Sequence, residues 1–263
     1  MRPRLVVSDL DGTLLGTAGQ LSPTTIDVLQ RLRADGVTVV AATGRAPRSA
    51  MARLRDLGVV DALVCSNGSI VHDPADDETV RRHPIDSQHL LDAFRSLDAA
   101  FDGVACCWEL DDRYGWDAGF DHIGTTHEDT TGFGVADRPT EVDVVTKLMV
   151  AHPELRRLEL RDAMREVLEV PVTLGCSGVE FVEITGHLVD KASTVAAFAV
   201  ELGIDREDVI AFGDNANDLE LLAWAGVGVA VENALPETKE VADRVIGHHA
   251  DDAVARHLRE LYT

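Results

Sequence analysis

The chain has 263 residues, and 46 acidic against 24 basic residues give it a formal charge of −22 at neutral pH. This charge argues against a nucleic-acid partner, because such proteins neutralise phosphates with Lys and Arg. It also disfavours docking to an anionic membrane surface. Hydrophobic residues make up 45% of the chain, which is enough apolar material for one large domain or two smaller ones.

The first third of the chain alternates short apolar runs with segments of helical period. Ser22 and Pro23 are typical of an N-cap followed by the first helical position. The predicted elements are a strand at 4–8, a helix from 22 to 36, a strand at 37–42, a helix at 46–58 and a strand at 62–65. This alternation predicts a parallel sheet with right-handed crossovers.

The middle of the chain, residues 83–184, has a different pattern. Helices are predicted at 87–99 and 154–168, and strands at 104–108, 146–151, 170–174 and 179–183. A polar segment at 115–141 shows little periodicity, which is typical of loops. We predict an inserted α+β domain here. It holds 21 acidic and 8 basic residues, so it is more acidic per residue than the rest of the chain.

The last third returns to the alternating pattern. It predicts a helix at 191–203, a strand at 208–212, a helix at 215–223 and a strand at 227–231, followed by shorter segments at 236–242, 245–246 and 251–261. The sequence therefore predicts one α/β domain formed by residues 1–82 and 185–263, interrupted by an α+β domain at 83–184.

The four cysteines show no spacing typical of a metal or redox site, and they are interpreted as reduced, buried thiols. The N-terminus lacks the apolar run and cleavage site of a signal peptide. The longest apolar stretch, at 221–231, is too short to span a bilayer. We expect a cytoplasmic protein with no membrane partner.

Polar side chains follow each predicted strand of the α/β domain, at the edge where open parallel sheets bind ligands. The segments concerned are 9–13, 43–45, 66–68 and 213–218. They bring four carboxylates together, those of Asp9, Asp11, Asp214 and Asp218. Clustered carboxylates need a compensating cation, and oxygen ligands without His or Cys favour Mg²⁺. A metal-bound carboxylate can also be a nucleophile towards phosphorus.

Lysine is rare in this chain: only Lys147, Lys191 and Lys239 stand against 21 arginines. Lys191 opens the predicted helix that precedes the strand at 208–212, which places an ammonium near the carboxylates. An ammonium is a compact point charge, whereas guanidinium is long and planar, so Lys suits a phosphoryl group here. Lys147 is interpreted as a strand residue whose ammonium reaches solvent.

DLDGT at 9–13, TGR at 43–45, Lys191 and GDNAND at 213–218 resemble the four motifs of the haloacid dehalogenase superfamily of phosphatases. The insertion is similar to the α/β (C2B-like) cap of the Cof-type branch. The resemblance implies a Rossmann-like three-layer α/β/α core with a parallel sheet, and an inserted α+β cap that sets specificity. It further implies a Mg²⁺-dependent phosphatase that hydrolyses a small phosphorylated metabolite, such as a sugar phosphate, through an aspartyl-phosphate.

The same resemblance implies a role for each matching residue. Asp9 would be the nucleophile, and Asp11 the general acid and then the general base. The metal would be held by Asp9, the carbonyl of Asp11, and Asp214, with support from Asp218. The groups implied for phosphoryl binding are the Leu10 amide, the Thr43 hydroxyl, the Gly44 amide, Lys191 and Asn217, and the candidate substrate contacts are Arg45 and Asn67.

Two alternatives to hydrolysis remain open from the sequence. A phosphomutase of the same superfamily (phosphomannomutase-like) would share the core motifs and return the phosphoryl group to a sugar. A non-catalytic phospho-acceptor or binding protein is the second alternative. In either case the expected partner is a small phosphorylated metabolite, and the chain would act as a monomer or a homodimer.

Overall fold

The computed structural model describes residues 2–110, 113–120, 134–178 and 180–262. Two compact units are formed: unit 1 consists of Met1–Arg81 with Asp190–Thr263, and unit 2 of Arg82–Val189. The roles of catalytic core for residues 1–82 and 185–263 and of specificity cap for residues 83–184 remain predictions. Among the described residues, no helix has both the length and the apolar character needed to cross a membrane.

The strands, numbered in chain order, are β1 (Leu5–Ser8), β2 (Thr38–Ala42), β3 (Ala62–Cys65), β4 (Ile70–Asp73), β5 (Glu78–Arg82), β6 (Ala105–Leu110), β7 (Arg113–Trp116), β8 (Gly134–Val135), β9 (Lys147–Ala151), β10 (Thr173–Gly175), β11 (Val182–Thr185), β12 (Val209–Gly213), β13 (Val227–Ala230) and β14 (Arg244–Val245). The α-helices are α1 (Pro23–Ala34), α2 (Pro47–Leu54), α3 (Ser87–Ala100), α4 (Arg157–Val167), α5 (Lys191–Glu201), α6 (Leu219–Trp224), α7 (Pro236–Val241) and α8 (Ala253–Tyr262).

Unit 1 is built on an eight-stranded sheet with the order β14-β13-β12-β1-β2-β3-β4-β5. Strands β14 to β3 pair in parallel, and β4 pairs antiparallel with β3. Side chains of β1 alternate between the two faces: Val6 packs with helices α1, α2 and α8, whereas Leu5 and Val7 pack with α5 and α6. Helices therefore cover both faces, and the predicted three-layer α/β/α fold with a largely parallel sheet is confirmed.

Unit 2 is an α+β unit with a six-stranded sheet of order β10-β11-β9-β6-β7-β8. Strands β10 to β7 pair antiparallel, and β7 pairs in parallel with β8. Helices α3 and α4 bury Phe94 and Met164 against one face of the sheet, together with Trp108. A smaller apolar cluster, which includes Phe120 and Phe181, lies on the other face.

The structure adds elements that periodicity did not indicate. Strands β4 and β5 continue the sheet of unit 1 beyond β3. The segment at 115–141, predicted as loops, contributes the end of β7 and the short β8, and residues 121–133 lie outside the described part of the chain. The prediction that the Lys147 ammonium reaches solvent is wrong, because this side chain is buried between Glu109 and Glu183.

Candidate active site

Four neighbouring strands of unit 1 end at the same edge of the sheet, in the order β12, β1, β2, β3. Asp9 follows β1, Thr43 follows β2, Ser66 follows β3 and Asp214 follows β12. Because these strands run parallel, their carboxyl ends place the polar segments beside one another. The amide of Asp9 donates to the carbonyl of Phe212 on β12 (2.9 Å), which holds the start of the loop after β1 beside the end of β12.

Lys191 lies at the centre of the acidic side chains and is fully buried. Its Nζ donates to Oδ1 of Asp9 and to Oδ1 of Asp218, each at 2.7 Å. Lys191 is the first residue of α5, and the N-cap Asp190 accepts a bond from the Ser193 amide at 2.7 Å. Burial alone would lower the pKa of Lys191, but the carboxylates of Asp218 and Asp9 outweigh it and hold the pKa above its ordinary value.

Asp9, Asp214 and Asp218 bring one carboxylate oxygen each to within 4.8 Å of one another. Burial raises the pKa of Asp9 well above its ordinary value, against the opposing effect of Lys191. Burial, followed by the neighbouring Asp218, raises the pKa of Asp214 to about 6. Three carboxylates and one ammonium give a formal charge of −2, which is an excess that a divalent cation would offset.

The loop after β1 leaves room for the Asp214 carboxylate. Gly12 has a φ of +79°, and a Cβ at this position would stand 2.5 Å from Oδ2 of Asp214. The Thr13 hydroxyl donates to Oδ1 of Asp214 at 2.9 Å, and no described residue donates to Oδ2. The donor set is oxygen only, and Oδ2 of Asp214 has no hydrogen-bond donor among the described residues, so these residues fit a hard divalent cation.

Asp218 differs from the other two carboxylates because both of its oxygens already accept hydrogen bonds. Oδ1 accepts from Lys191 at 2.7 Å, and Oδ2 accepts from the amides of Asp214 and Asn215, each at 3.0 Å. Its side chain is fully buried. Asp218 therefore orients Lys191 and the backbone that carries Asp214.

Asp11 is half-exposed and forms a two-pronged ion pair with Arg45. Arg45 Nε donates to Oδ2 of Asp11 at 2.6 Å and Nη2 donates to Oδ1 at 2.7 Å, while Nη1 donates to the Ser49 hydroxyl at 2.8 Å. This planar fork is a geometry that Lys cannot reproduce. In this structure the guanidinium expected to contact substrate is occupied by Asp11.

Two of the residues predicted to bind a phosphoryl group, Thr43 and Asn217, contact the loop after β3. Thr43 is buried, and its carbonyl accepts from the Asn67 amide at 3.1 Å. Asn217 Nδ2 donates to Oδ1 of Asn67 at 2.9 Å. Leu10 is buried within the turn Leu10–Leu14, and Gly44 lies directly after Thr43. All the predicted residues thus lie in the loops after β1, β2, β3 and β12 or at the start of α5.

Two residues that the sequence analysis left without a role support the Gly12 turn. Asn233 Nδ2 donates to the carbonyl of Gly12 at 2.7 Å, and Oδ1 of Asn233 accepts from the His249 amide at 3.1 Å. His249 Nδ1 lies 2.8 Å from the carbonyl of Leu15. The signals in the sequence were that the segment 232–234 resembles the Cof-type branch and that Asn233 follows the strand after GDNAND.

Comparison with known proteins gives a consistent family. Residues 6–258 match the model of the haloacid dehalogenase-like hydrolases. The chain is 32% identical over 271 residues to the 5-amino-6-(5-phospho-D-ribitylamino)uracil phosphatase YitU of Bacillus subtilis, covering 100% of this chain and 98% of that protein. It is 29% identical to the HMP-PP phosphatase of Serratia proteamaculans, covering 97% of this chain and 94% of that protein.

The fold is shared with solved structures of the same superfamily. The phosphatase BT1666 of Bacteroides thetaiotaomicron superposes with a TM-score of 0.83 at 22% identity, covering 99% of this chain and 96% of that one. At this level of identity the similarity concerns the fold.

Proposed function

Because the chain belongs to the haloacid dehalogenase-like hydrolase family, we propose that it is a Mg²⁺-dependent phosphatase of small phosphorylated metabolites that works through an aspartyl-phosphate. The relatives named above are phosphatases, and the enzyme class is that of phosphoric monoester hydrolases. The observation that carries the mechanism is the buried cluster of Asp9, Asp214 and Asp218 around Lys191.

Asp9 is the nucleophile in this proposal. Lys191 binds its Oδ1, so the carboxylate is held in one orientation and Oδ2 is left without a donor among the described residues. An oxygen of Asp9 forms a bond to phosphorus as the bond from phosphorus to the leaving alcohol breaks. A water then attacks phosphorus, which releases inorganic phosphate and restores the carboxylate.

Asp11 moves the protons in both steps. It protonates the leaving oxygen in the first step and takes a proton from the attacking water in the second. Arg45, which is itself bonded to Ser49, holds the Asp11 carboxylate at the edge of the site.

The cation would be held by Asp9, Asp214 and the carbonyl of Asp11, with Asp218 behind them. When bound, Mg²⁺ supplies positive charge that lowers the repulsion between the Asp9 carboxylate and an anionic phosphoryl group. The amides of Leu10 and Gly44, the Thr43 hydroxyl, the Asn217 amide and the Lys191 ammonium would bind the phosphoryl oxygens. Lys191 is held by two carboxylates in a buried place, so its position costs little reorganisation during the reaction.

We assign the catalytic core to the parts of the chain predicted at 1–82 and 185–263, and a specificity cap of the C2B-like type to 83–184. The core motifs address only the phosphoryl group, so they support a phosphomonoester as the class of substrate, with a sugar phosphate as our expectation. A cytoplasmic location is supported by four free, buried thiols. A monomer or homodimer remains our expectation.

The direct test is phosphate release from a panel of phosphomonoesters with Mg²⁺. The panel contains sugar phosphates, pyridoxal phosphate and the ribitylaminouracil phosphate named for a relative. We expect release that EDTA abolishes and Mg²⁺ restores, and Asp9→Asn lowers kcat by roughly 10³-fold or more.

The matched control is Asp27→Asn, which makes the same change at an exposed side chain of α1 bonded to Arg31. We expect this variant to keep its activity. Full activity of Asp9→Asn would refute the nucleophile. An isomerised sugar phosphate formed without free phosphate would identify a mutase instead of a hydrolase.

A further inference from the structure

The loop after β3 has an unusual backbone. Ser66, Asn67 and Gly68 have φ values of +52°, +55° and +103° in succession. Positive φ is uncommon for residues with a side chain, and two such residues in a row are maintained only when neighbouring contacts determine them. Conformations of this kind cluster at functional sites, so the contacts of this loop are informative.

Three hydrogen bonds fasten this loop to the segments that carry the phosphoryl-binding residues. The Ser66 amide donates to the carbonyl of Arg45 at 2.8 Å, and the Asn67 amide donates to the carbonyl of Thr43 at 3.1 Å. The Thr194 hydroxyl, one turn after Lys191, donates to the carbonyl of Gly68 at 2.7 Å. The loop thus joins the segment after β2 to the start of α5.

The backbone of this loop also lies against the start of α5 without space for a side chain. A Cβ at Gly68 would stand 2.1 Å from the carbonyl oxygen of Asp190. This close approach fixes the position of the preceding residue, Asn67, relative to Lys191. The side chain of Asn67 is therefore placed by the backbone on both sides of it.

Asn67 uses only half of its side-chain amide. Oδ1 accepts from Nδ2 of Asn217 at 2.9 Å. Nδ2 is buried and has no hydrogen-bond partner among the described residues, and the residue as a whole is 6% exposed. A buried donor without an acceptor is costly, by about 1–3 kcal/mol, so its retention calls for an acceptor that binding supplies.

We propose that Asn67 is a phosphoryl-binding residue: its Nδ2 donates to a phosphoryl oxygen of the bound ester, while its Oδ1 holds Asn217 in place. This inference rests on the proposed function. Asn67 is hydrogen-bonded to both Thr43 and Asn217, so a phosphoryl group held by those two residues lies beside it. Phosphoryl oxygens are the acceptors that such a substrate brings, and the loop after β3 becomes a further part of the phosphoryl site.

The test compares two substitutions of Asn67 in the Mg²⁺-loaded protein, with inorganic phosphate as the probe in calorimetric titrations. Asn67→Asp keeps an oxygen for Asn217 and tolerates positive φ, but it replaces the donor by an acceptor. Asn67→Gly keeps the backbone conformation and removes both groups without adding charge. For both variants we expect the Kd of phosphate to rise about tenfold or more, because a hydrogen bond to a charged group is lost.

The control is Gln30→Glu, the same change from amide to carboxylate at an exposed side chain of α1. Its phosphate affinity should equal that of the wild type, and circular dichroism verifies the fold of every variant. Wild-type affinity in folded Asn67→Asp would overturn the proposal, because the contact with Asn217 would then be the one remaining role for this side chain. Wild-type affinity in Asn67→Gly would overturn it as well, even if Asn67→Asp does not fold.

Failure of the proposed function looks different in the same experiment. A wild-type protein that neither binds phosphate with Mg²⁺ nor releases it from any ester would reject the phosphatase and, with it, the role of Asn67. A wild-type protein that does both, together with unaffected Asn67 variants, would reject the role of Asn67 alone.

Discussion

At Gly12 the backbone turns with a φ of +79°, and the space that a side chain would fill is taken by the Asp214 carboxylate. The turn is held from the other side by Asn233, which donates to the Gly12 carbonyl. The absence of a side chain at Gly12 and the hydrogen bond from Asn233 therefore decide together where Oδ2 of Asp214 can lie. A residue can shape a site in this way without having any reactive group of its own.

Gly12→Ala should therefore raise the Mg²⁺ concentration needed for half-maximal activity, by about tenfold or more, because the new methyl group displaces Oδ2 of Asp214. It should also lower the free energy of unfolding by about 1–3 kcal/mol through strain at positive φ. Activity measured against Mg²⁺ concentration and urea unfolding give the two quantities.

Gly36→Ala separates these two effects. Gly36 has a φ of +84°, and a Cβ there would meet no atom within 4 Å. This variant should lose a similar free energy of unfolding and keep the wild-type Mg²⁺ requirement. If both variants show the same Mg²⁺ requirement, Gly12 does not control the position of Asp214.

At the level of the elements, three adjacent strands of unit 2 enclose a buried group of charges. Lys147 on β9 lies between Glu183 on β11 and Glu109 on β6, with Nζ at 3.2 Å and 3.6 Å from the two carboxylates. Burial alone lowers the pKa of Lys147, but Glu183 and Glu109 together raise it above its ordinary value. The pairing therefore stabilises the folded state at neutral pH, and this contribution is lost as the pH rises through the folded-state pKa.

Lys147→Met should destabilise the protein by about 3–5 kcal/mol in urea unfolding, because it leaves two buried carboxylates without their cation. Arg31→Met is the matched control, since Arg31 forms an exposed ion pair with Asp27 on α1, and its effect should stay within about 1 kcal/mol. Replacement of all three buried charges by apolar residues should restore most of the loss. Equal losses of unfolding free energy in the two Met variants would show that burial does not increase the contribution of the Lys147 ion pairs to stability.

These elements also show what the sequence could and could not predict. Strands β1, β2, β3 and β12 appear in the sequence as short apolar runs because both of their faces are buried, and the polar residues after them predicted the candidate site. Lys147 was misassigned because a strand pattern does not reveal what covers a side chain, and its partners come from two other strands. Asn233 and the positive φ of Asn67 depend on contacts between distant segments, which periodicity does not contain.

At the scale of the whole molecule, the charge of −22 has two components. A few acids form the buried cluster of unit 1, where Lys191 offsets part of their charge. Most of the excess lies elsewhere, and the region 83–184 is the more acidic part per residue. The order of elements predicted the α/β fold, because strands that alternate with helices are typical of a parallel sheet. The division into a core and an inserted domain at 83–184 stays a prediction.

The four cysteines occur in both units, and all of them are buried without disulfide bonds. Burial raises the pKa of the Cys106, Cys107 and Cys176 thiols, so the reactive thiolate is rare at neutral pH in the folded protein. We expect no thiol to react with a colorimetric disulfide reagent in the native state at pH 8, and all four to react in denaturant.

The same reagent measures how each unit opens, because Cys65 lies in unit 1 and the other three cysteines lie in unit 2. Variants that retain only Cys65 or only Cys106 should react at rates that follow the opening of the unit that contains them, and these rates should rise with urea. A native thiol that reacts as fast as free cysteine would contradict the burial found here. Such a cysteine would lie in a segment that opens without unfolding of its unit.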